Sequence, residues 1–246
     1  MARTDFTTPR LCVDDDLALD RPVPLGAAAA NYLVNVLRLK PGARVLLFNG
    51  RDGEFAAALS GERKRAALTP TQKLREQEAP PPLDYLFAPL KSARLDYMAQ
   101  KAVEMGARAL RPVLTRRTQV TRLNLERLEA NAREACEQCG IIWRPQIVAP
   151  QSLDAALADW PKDRLLVFCD EDAPLAHPLD ALNAAPDTPG VGLLIGPEGG
   201  FDEAERAAIQ ALPHVLRLSL GPRILRADTA AVAALALLQA RFGDWR

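Results

Sequence analysis

Two apolar runs in the last third of the chain are each broken at a Gly-Pro step and then begin a helix. The first reads Leu194-Ile195-Gly196-Pro197-Glu198-Gly199-Gly200-Phe201; the second reads Leu218-Ser219-Leu220-Gly221-Pro222-Arg223-Ile224-Leu225-Arg226-Ala227-Asp228-Thr229-Ala230. A strand that ends in such a turn and continues as a helix is the repeating step of an α/β sheet. Glycine lets backbone approach a ligand closely, and proline fixes the turn. Two such turns at the carboxyl ends of adjacent strands make a pocket rich in main-chain N–H and C=O groups, where open α/β sheets bind ligands. A plain strand-to-helix turn needs one or two glycines, and three around Pro197 and Glu198 exceed that need.

The same alternation runs back to about residue 80. Apolar runs at Tyr85–Leu90, Leu110–Thr115, Leu165–Cys169, Gly192–Ile195 and Val215–Leu220 read as buried strands. Between them, Ser92 is placed to cap a helix that ends at Gly106, and Asn124 to cap one that ends at Gly140. Asp202 with Glu205 makes a capping-box start, and Ala230–Gln239 is apolar nearly all round, so it should be buried. Three consecutive prolines, Pro80–Pro82, mark a stiff boundary. Before it, Val45–Phe48, Glu54–Leu59 and Arg65–Thr69 read as strands around the Asn49–Gly53 turn, with one helix over Gly26–Leu39. The expected organisation is a small β-barrel at 1–75 and a parallel α/β domain at 76–246.

No apolar run reaches membrane-spanning length, and residues 1–10 carry no apolar signal segment. Four scattered cysteines do not make a disulfide framework in a chain of 246 residues. The expected compartment is a reducing cytoplasm, with no membrane partner. The formal charge of zero hides an asymmetry, because residues 79–150 carry 11 Lys/Arg against 7 Asp/Glu while residues 151–246 carry 8 against 14. That permits RNA binding without showing it.

Several chemistries find no support. There is no Walker A sequence and no Gly-x-Gly-x-x-Gly after the first strand of the α/β domain. His177 and His214 lie near no nucleophile pattern. Cys136 and Cys139 sit inside a helical pattern with no second pair, so they read as core and no metal is expected. Asp170-Glu171-Asp172 reads as a solvated loop after a strand rather than a Mg²⁺ site.

The two glycine-rich loops together resemble the signature of the SPOUT, or trefoil-knot, methyltransferases. More narrowly, the chain resembles the ribosomal RNA small subunit methyltransferase E family, which methylates N3 of a uridine in 16S rRNA. Pro9-Arg10 and Val36-Leu37-Arg38-Leu39 before Pro41-Gly42 are similar to that family's PUA-like N-terminal domain. Gln100–Gly106 and Glu134–Gly140 are similar to its first two catalytic-domain helices. The chain departs from the family pattern at Ile141, where an arginine is usual, and at Asp228, where the acid is usually glutamate.

The resemblance implies a knotted C-terminal α/β domain behind a PUA-like β-barrel, S-adenosylmethionine (SAM) as cofactor, and a homodimer in which the second subunit helps to build the site. The partner it implies is 16S rRNA or the small ribosomal subunit. Leu194, Gly196, Pro197, Gly199, Gly200, Leu218, Leu220, Gly221, Arg223, Ile224, Leu225 and Thr229 are the expected cofactor contacts. Uridine N3 must lose its proton around methyl transfer, and a fixed guanidinium suits the charge that spreads onto the flanking carbonyls. Arg226 is the expected residue, with Arg223 as the alternative or a phosphate contact. The general base is left between Asp228 and Glu198, with Glu198 equally suited to organising its loop and Asp228 to capping the last helix. Arg10, Arg38 and Lys40 in the first domain and Lys91, Arg94 and Lys101 in the second are expected on RNA phosphate. Two rival readings stay open: a knot methyltransferase acting on a tRNA base or a ribose 2′-hydroxyl, and a non-catalytic RNA-binding assembly factor.

Overall fold

The structure, a computed structural model, describes residues 5, 7–61, 65–120, 122–174 and 177–245. Two compact units divide the chain, residues 1–79 with 133–144, and residues 80–132 with 145–246. The single cut expected at residue 75 therefore misses a twelve-residue stretch (133–144) that joins the first unit.

In the first unit, strands β1 (Arg10–Cys12), β2 (Val23–Pro24), β3 (Arg44–Phe48), β4 (Glu54–Ser60) and β5 (Ala67–Arg75) form one sheet in the order β1-β3-β4-β5-β2. The sheet is a half-barrel, open between β1 and β2, which do not pair among the described residues. Register shifts between Glu54 and Phe55 and between Ala56 and Ala57 curl it. Pro70, which has no N–H to give a ladder, sits opposite Ala57 at the second shift. The expected helix is shorter: α1 covers Ala27–Ala30 and passes into a π-helical stretch, Asn31–Val36.

Val45, Leu47, Ala57, Leu59 and Leu68 share one core with Leu33. Leu46 and Phe48, on the opposite face of β3, are fully buried as well. A sheet buried on both faces needs a second layer, and residues 133–144 belong to this unit for reasons that are visible. Cys12 N–H donates to Glu137 Oε1 at 2.9 Å, Arg75 Nη1 donates to Gly140 O at 2.9 Å, and Arg144 meets Asp14 at 2.6 Å. Ile141, the departure from the family pattern, is buried here, and its N–H donates to Cys136 O. Cys136 is buried as expected; Cys139 is exposed.

The second unit is a parallel sheet, order β12-β10-β11-β6-β7-β8, with β9 also on β7. Its strands are β6 (Leu83–Phe87), β7 (Ala109–Leu114), β8 (Gln146–Ile147), β9 (Gln151–Ser152), β10 (Leu165–Cys169), β11 (Val191–Ile195) and β12 (Val215–Leu218). Helices α2 (Ser92–Glu104), α3 (Leu125–Cys139), α4 (Leu153–Ala158), α5 (Pro178–Ala184), α6 (Glu203–Gln210) and α7 (Ala227–Phe242) complete the chain. On one face Leu86, Val113, Leu166, Phe168 and Leu194 pack with Leu153 and Trp160 beside α4 and Ile209 of α6. On the other, α7 lies against β11, α2 and α5. No helix among the described residues is long and apolar enough to cross a membrane.

Capping follows sequence where it is local. Asn124 accepts from Arg127 N–H at 2.9 Å, and Asp202 with Glu205 forms the full capping box. Lys91, not Ser92, occupies the N-cap position of α2. In the nearly all-apolar α7, the one fully buried polar residue, Gln239, donates to Met105 O at 2.6 Å and accepts from Asp244 N–H at 3.0 Å. A Cβ on Gly106 would lie 2.0 Å from that Gln239 amide, so the turn after α2 has no room for a side chain.

Asp84, in β6, is fully buried and receives Arg108 and Arg111 at 2.8 Å and Arg164 at 3.1 Å. Burial pushes its carboxyl up, but hydrogen bonds and charge from Arg164 and Arg108 outweigh this and hold it below the ordinary value. A depressed folded-state pKa contributes stability that is present above the unfolded-state value, about 4, and is lost as pH falls through the folded one. Thermal stability should therefore drop on acidification below about pH 4. Asp84→Asn, lacking this component, should show a shallower acid limb by differential scanning calorimetry. Parallel limbs would contradict the assignment.

Candidate functional site

Because β6, β7, β10, β11 and β12 pair in parallel, their carboxyl ends fall along one edge of the sheet. Phe168 stands beside Leu194, Cys169 beside Leu218 and Ile195 beside Phe87. The loops Gly196–Asp202 and Ser219–Arg226 therefore emerge as neighbours of the β10 loop, with the start of α2 beyond them. The two motifs read from sequence leave the same edge of the sheet, but their strands are not adjacent as expected, because β10 lies between β11 and β12.

Each glycine in the first loop has its own reason. Gly200 has φ +69°, and a Cβ there would lie 2.5 Å from Glu171 Oε1. A Cβ on Gly196 would lie 2.5 Å from the ring of Phe201, which is buried and packs edge-on against Phe168 at 5.1 Å. Gly199 is different: its nearest neighbour would be Arg117 Cδ at 3.4 Å, an ordinary contact, and it is exposed. Pro197 is buried and its carbonyl accepts from Gly200 N–H at 2.9 Å, closing the turn.

The second loop makes few hydrogen bonds of its own. Gly221 N–H reaches Ser219 Oγ at 3.4 Å, while the N–H groups of Leu220, Arg223, Ile224 and Leu225 have no partner among the described residues. Gly221 has φ +101° with open space where a Cβ would stand. Ile224 is 100% exposed. Backbone donors left open beside a positive-φ glycine and a bare apolar side chain fit a ligand read through the main chain. An adenosyl cofactor, with polar edges and an apolar face, suits that donor set.

Arg226 is the N-cap residue of α7, exposed, with no side-chain cap bond and no ion pair among the described residues. Arg223 is equally exposed and unpaired. Asp228 is not the N-cap; it lies in the first turn of α7, and its Oδ1 accepts from Thr229 N–H at 2.9 Å. Burial pushes the Tyr85 phenol of β6 far above its ordinary value. Glu198 faces Arg94 Nη1 at 3.8 Å.

The six expected RNA cations separate. Arg10 is corrected: it is 6% exposed, its Nε donates to buried Glu54 at 2.7 Å, and its Nη1 and Nη2 donate to the carbonyls of Glu137 and Asp5. It holds the first unit together and is buried away from any phosphate on the surface. Arg38 and Lys40 belong to the first unit and are exposed. Lys91 is exposed, Arg94 is half-exposed beside Glu198, and Lys101 is held by Glu104 at 2.7 Å on α2.

Sequence reasoning missed the residues that brace the loops. Arg117 donates to Gly199 O at 2.6 Å, and Arg116 N–H donates to Glu205 at 2.7 Å. The acidic run after β10 is solvated only in part, because Glu171 and Asp172 are exposed but Asp170 is not. Asp170 is buried and receives Arg206 from α6 and Arg217 from β12, while Glu171 and Asp172 also meet Arg206. Its one available signal was placement, three acids directly after a central strand.

The sequence profile of the RNA methyltransferase domain family matches residues 77–239, two thirds of the chain, and that of the RNA methyltransferase PUA domain matches residues 25–70. The chain is 28% identical to the ribosomal RNA small subunit methyltransferase E of Rickettsia conorii, over 92% of this chain and 93% of that one. The structure of the enzyme of that name from Neisseria gonorrhoeae, bound to S-adenosylmethionine, superposes with a TM-score of 0.86 at 27% identity, covering 97% of this chain and 100% of that one. A Legionella pneumophila methyltransferase structure holding the same cofactor gives 0.81 at 29% identity, over 95% and 97%. The likeness runs through both units, and the chain belongs to the RNA methyltransferase family, with a SPOUT-type α/β catalytic domain behind a PUA domain.

Proposed function

We propose that this protein transfers a methyl group from SAM to N3 of a uridine in 16S rRNA. The observation that carries it is the second loop, whose main-chain donors are left open at the same sheet edge as the glycine-rich first loop, in a chain of this family. Gly196, Gly199 and Gly200 on one side and Leu218, Leu220, Gly221, Ile224 and Leu225 on the other hold the cofactor, with Pro197 shaping the first loop and Arg223 and Thr229 at its margin. SAM supplies an electrophilic methyl group on a sulfonium when bound there. Arg226, unpaired at the head of α7, stabilises the negative charge on the uracil carbonyls as N3 gives up its proton. Asp228 takes that proton, because Glu198 already faces Arg94 and is better placed to hold its loop. N3 lies on the Watson–Crick edge, so the target base is unpaired when it reacts.

The half-buried face of α7, with Val232, Ala233, Ala236 and Leu237, is apolar although the helix already buries its other side. A second copy of this chain covers it, making the homodimer. The work is done in the cytoplasm, where the ribosomal substrate is.

Calorimetric titration with SAM, using NAD and ATP as controls, is the primary test, with light scattering of the same preparation to read the dimer. Gly199→Val is the clean probe, since a Cβ there meets only the flexible Arg117 side chain, at 3.4 Å. A melting temperature close to wild type and SAM binding weakened by about tenfold or more, some 1.4 kcal/mol, are expected. Primer extension on treated small-subunit RNA should stop at the methylated uridine. No SAM binding by a folded dimer favours a non-catalytic RNA-binding factor.

A further inference from the structure

The turn after β7 is closed on itself by side chains. Thr115 N–H donates to Thr118 Oγ1 at 2.9 Å, Thr118 N–H donates back to Thr115 O at 3.1 Å, and the two hydroxyls meet at 2.9 Å. Local bonds of this kind fix the backbone between their ends, so Arg116 and Arg117 are carried on a set frame. Arg116 N–H donates to Glu205 Oε1 and its Nη1 to Asp202 Oδ2, both at 2.7 Å. Those are the two side chains of the capping box at the start of α6. Arg117 Nη1 donates to Gly199 O at 2.6 Å. One four-residue turn therefore holds the segment from Gly199 to Glu205 at three points.

Hydrogen bonds, not packing, make this contact. A cavity of about 350 Å³, lined among others by Leu114, Thr115, Arg116, Ala204 and Glu205, lies between the turn and the start of α6. Arg117 is exposed, and its side chain has no other hydrogen-bond or ion-pair partner among the described residues. It adds nothing to a core; what it fixes is one carbonyl.

The surroundings of that carbonyl give the bond its consequence. The N–H of the same peptide, on Gly200, donates to Pro197 O at 2.9 Å. Both polar groups of the planar Gly199–Gly200 peptide are thus taken, and it cannot turn without breaking a bond. One peptide earlier, Gly199 N–H has no partner among the described residues, and the residue is exposed. Two adjacent glycines are the most freely turning backbone a chain offers, and ordering them on binding weakens affinity. A guanidinium that fixes them beforehand removes that loss.

We propose that Arg117 is a positioning residue for the methyl donor: it holds Gly199 O so that Gly199 N–H stands open to SAM in a preformed loop. The residue comes from β7, two places from β11 in the sheet, so the loop's shape is set from outside its own strand. The proposal rests on the SAM reading of the site and adds the side chain that keeps the first loop ready.

The test is calorimetric titration of the full chain with SAM, as wild type, Arg117→Ala and Arg117→Lys. Arg117→Ala should bind SAM about tenfold more weakly, the scale of one hydrogen bond to a charged group. Its melting temperature should stay near wild type, because the side chain removed is exposed. In methylation assays on small-subunit RNA the loss should appear in KM for SAM and not in kcat. Arg117→Lys keeps a charged donor and should recover part of the affinity. Guanidinium chloride at millimolar concentration should also restore binding in Arg117→Ala, since the vacated position opens to solvent, and leave wild type unchanged. Wild-type SAM affinity in Arg117→Ala overturns the proposal, whether or not RNA binding changes. So does a loss that neither lysine nor guanidinium recovers, which marks a general structural role. If the wild-type chain itself binds no SAM, the SAM reading falls and takes this one with it.

Discussion

Arg226→Ala is expected to lower kcat by about 10²- to 10³-fold and leave the SAM dissociation constant within about twofold of wild type. The split follows from where the side chain stands. The loop proposed to hold the cofactor offers main-chain groups, which the substitution leaves in place, and among the described residues Arg226 makes no cap bond and no ion pair that its loss would break. Only charge that develops during methyl transfer feels the change, so the loss appears in the chemical step and not in binding. Arg226→Lys keeps the charge but not the forked pair of donors, and partial activity is the expected result. Arg223→Ala serves as the internal comparison, being as exposed and as unpaired but three residues from the helix start. Single-turnover methylation with each variant decides between them. A larger loss in Arg223→Ala would exchange their roles, and a loss confined to SAM binding in Arg226→Ala would remove it from the chemistry.

What sequence showed and what it hid divide by distance along the chain. Glycine and proline at the ends of β11 and β12 are local signals, as are the caps at Asn124 and Asp202, and these features stand where the residues implied. Charge is not local. Arg10 has the composition of a phosphate contact, but Glu54, 44 residues away, takes its guanidinium into the core. Asp170 has the pattern of a solvated loop, and its partners lie 36 and 47 residues further on. Helix α3 hides the division between units for a related reason. Its apolar period continues unbroken while its last turns, from Arg133, leave one compact unit for the other. Periodicity reports that a face is buried and is silent on which core buries it.

The acidic run supplies the second large effect. Asp170 is wholly buried at the end of β10, and it joins Arg206 of α6 to Arg217 of β12, the latter at 2.8 Å. Each of the two loops proposed to hold the cofactor is thereby tied to the strand between them, and Glu171, on the same Arg206, closes over Gly200. Removing the shared carboxylate takes away the one buried anion between the two guanidinium groups, leaving Arg206 on the exposed Glu171 and Asp172 and Arg217 on the Asp172 carbonyl. Loss of one partner from a buried charge network costs about 3–5 kcal/mol. The lower end, about 3 kcal/mol, applies here because Arg206 and Arg217 remain 14% and 32% exposed and recover some hydration. Asp170→Ala should therefore melt at clearly lower temperature and, at temperatures where it is still folded, bind SAM at least about tenfold more weakly. Asp170→Asn retains the shape and part of the hydrogen bonding, and it should fall between the two in both measurements. If stability falls while SAM affinity holds in the folded protein, the network supports the sheet and not the cofactor loops. Parallel losses across the two variants mean that the same three side chains set the shape of the cradle.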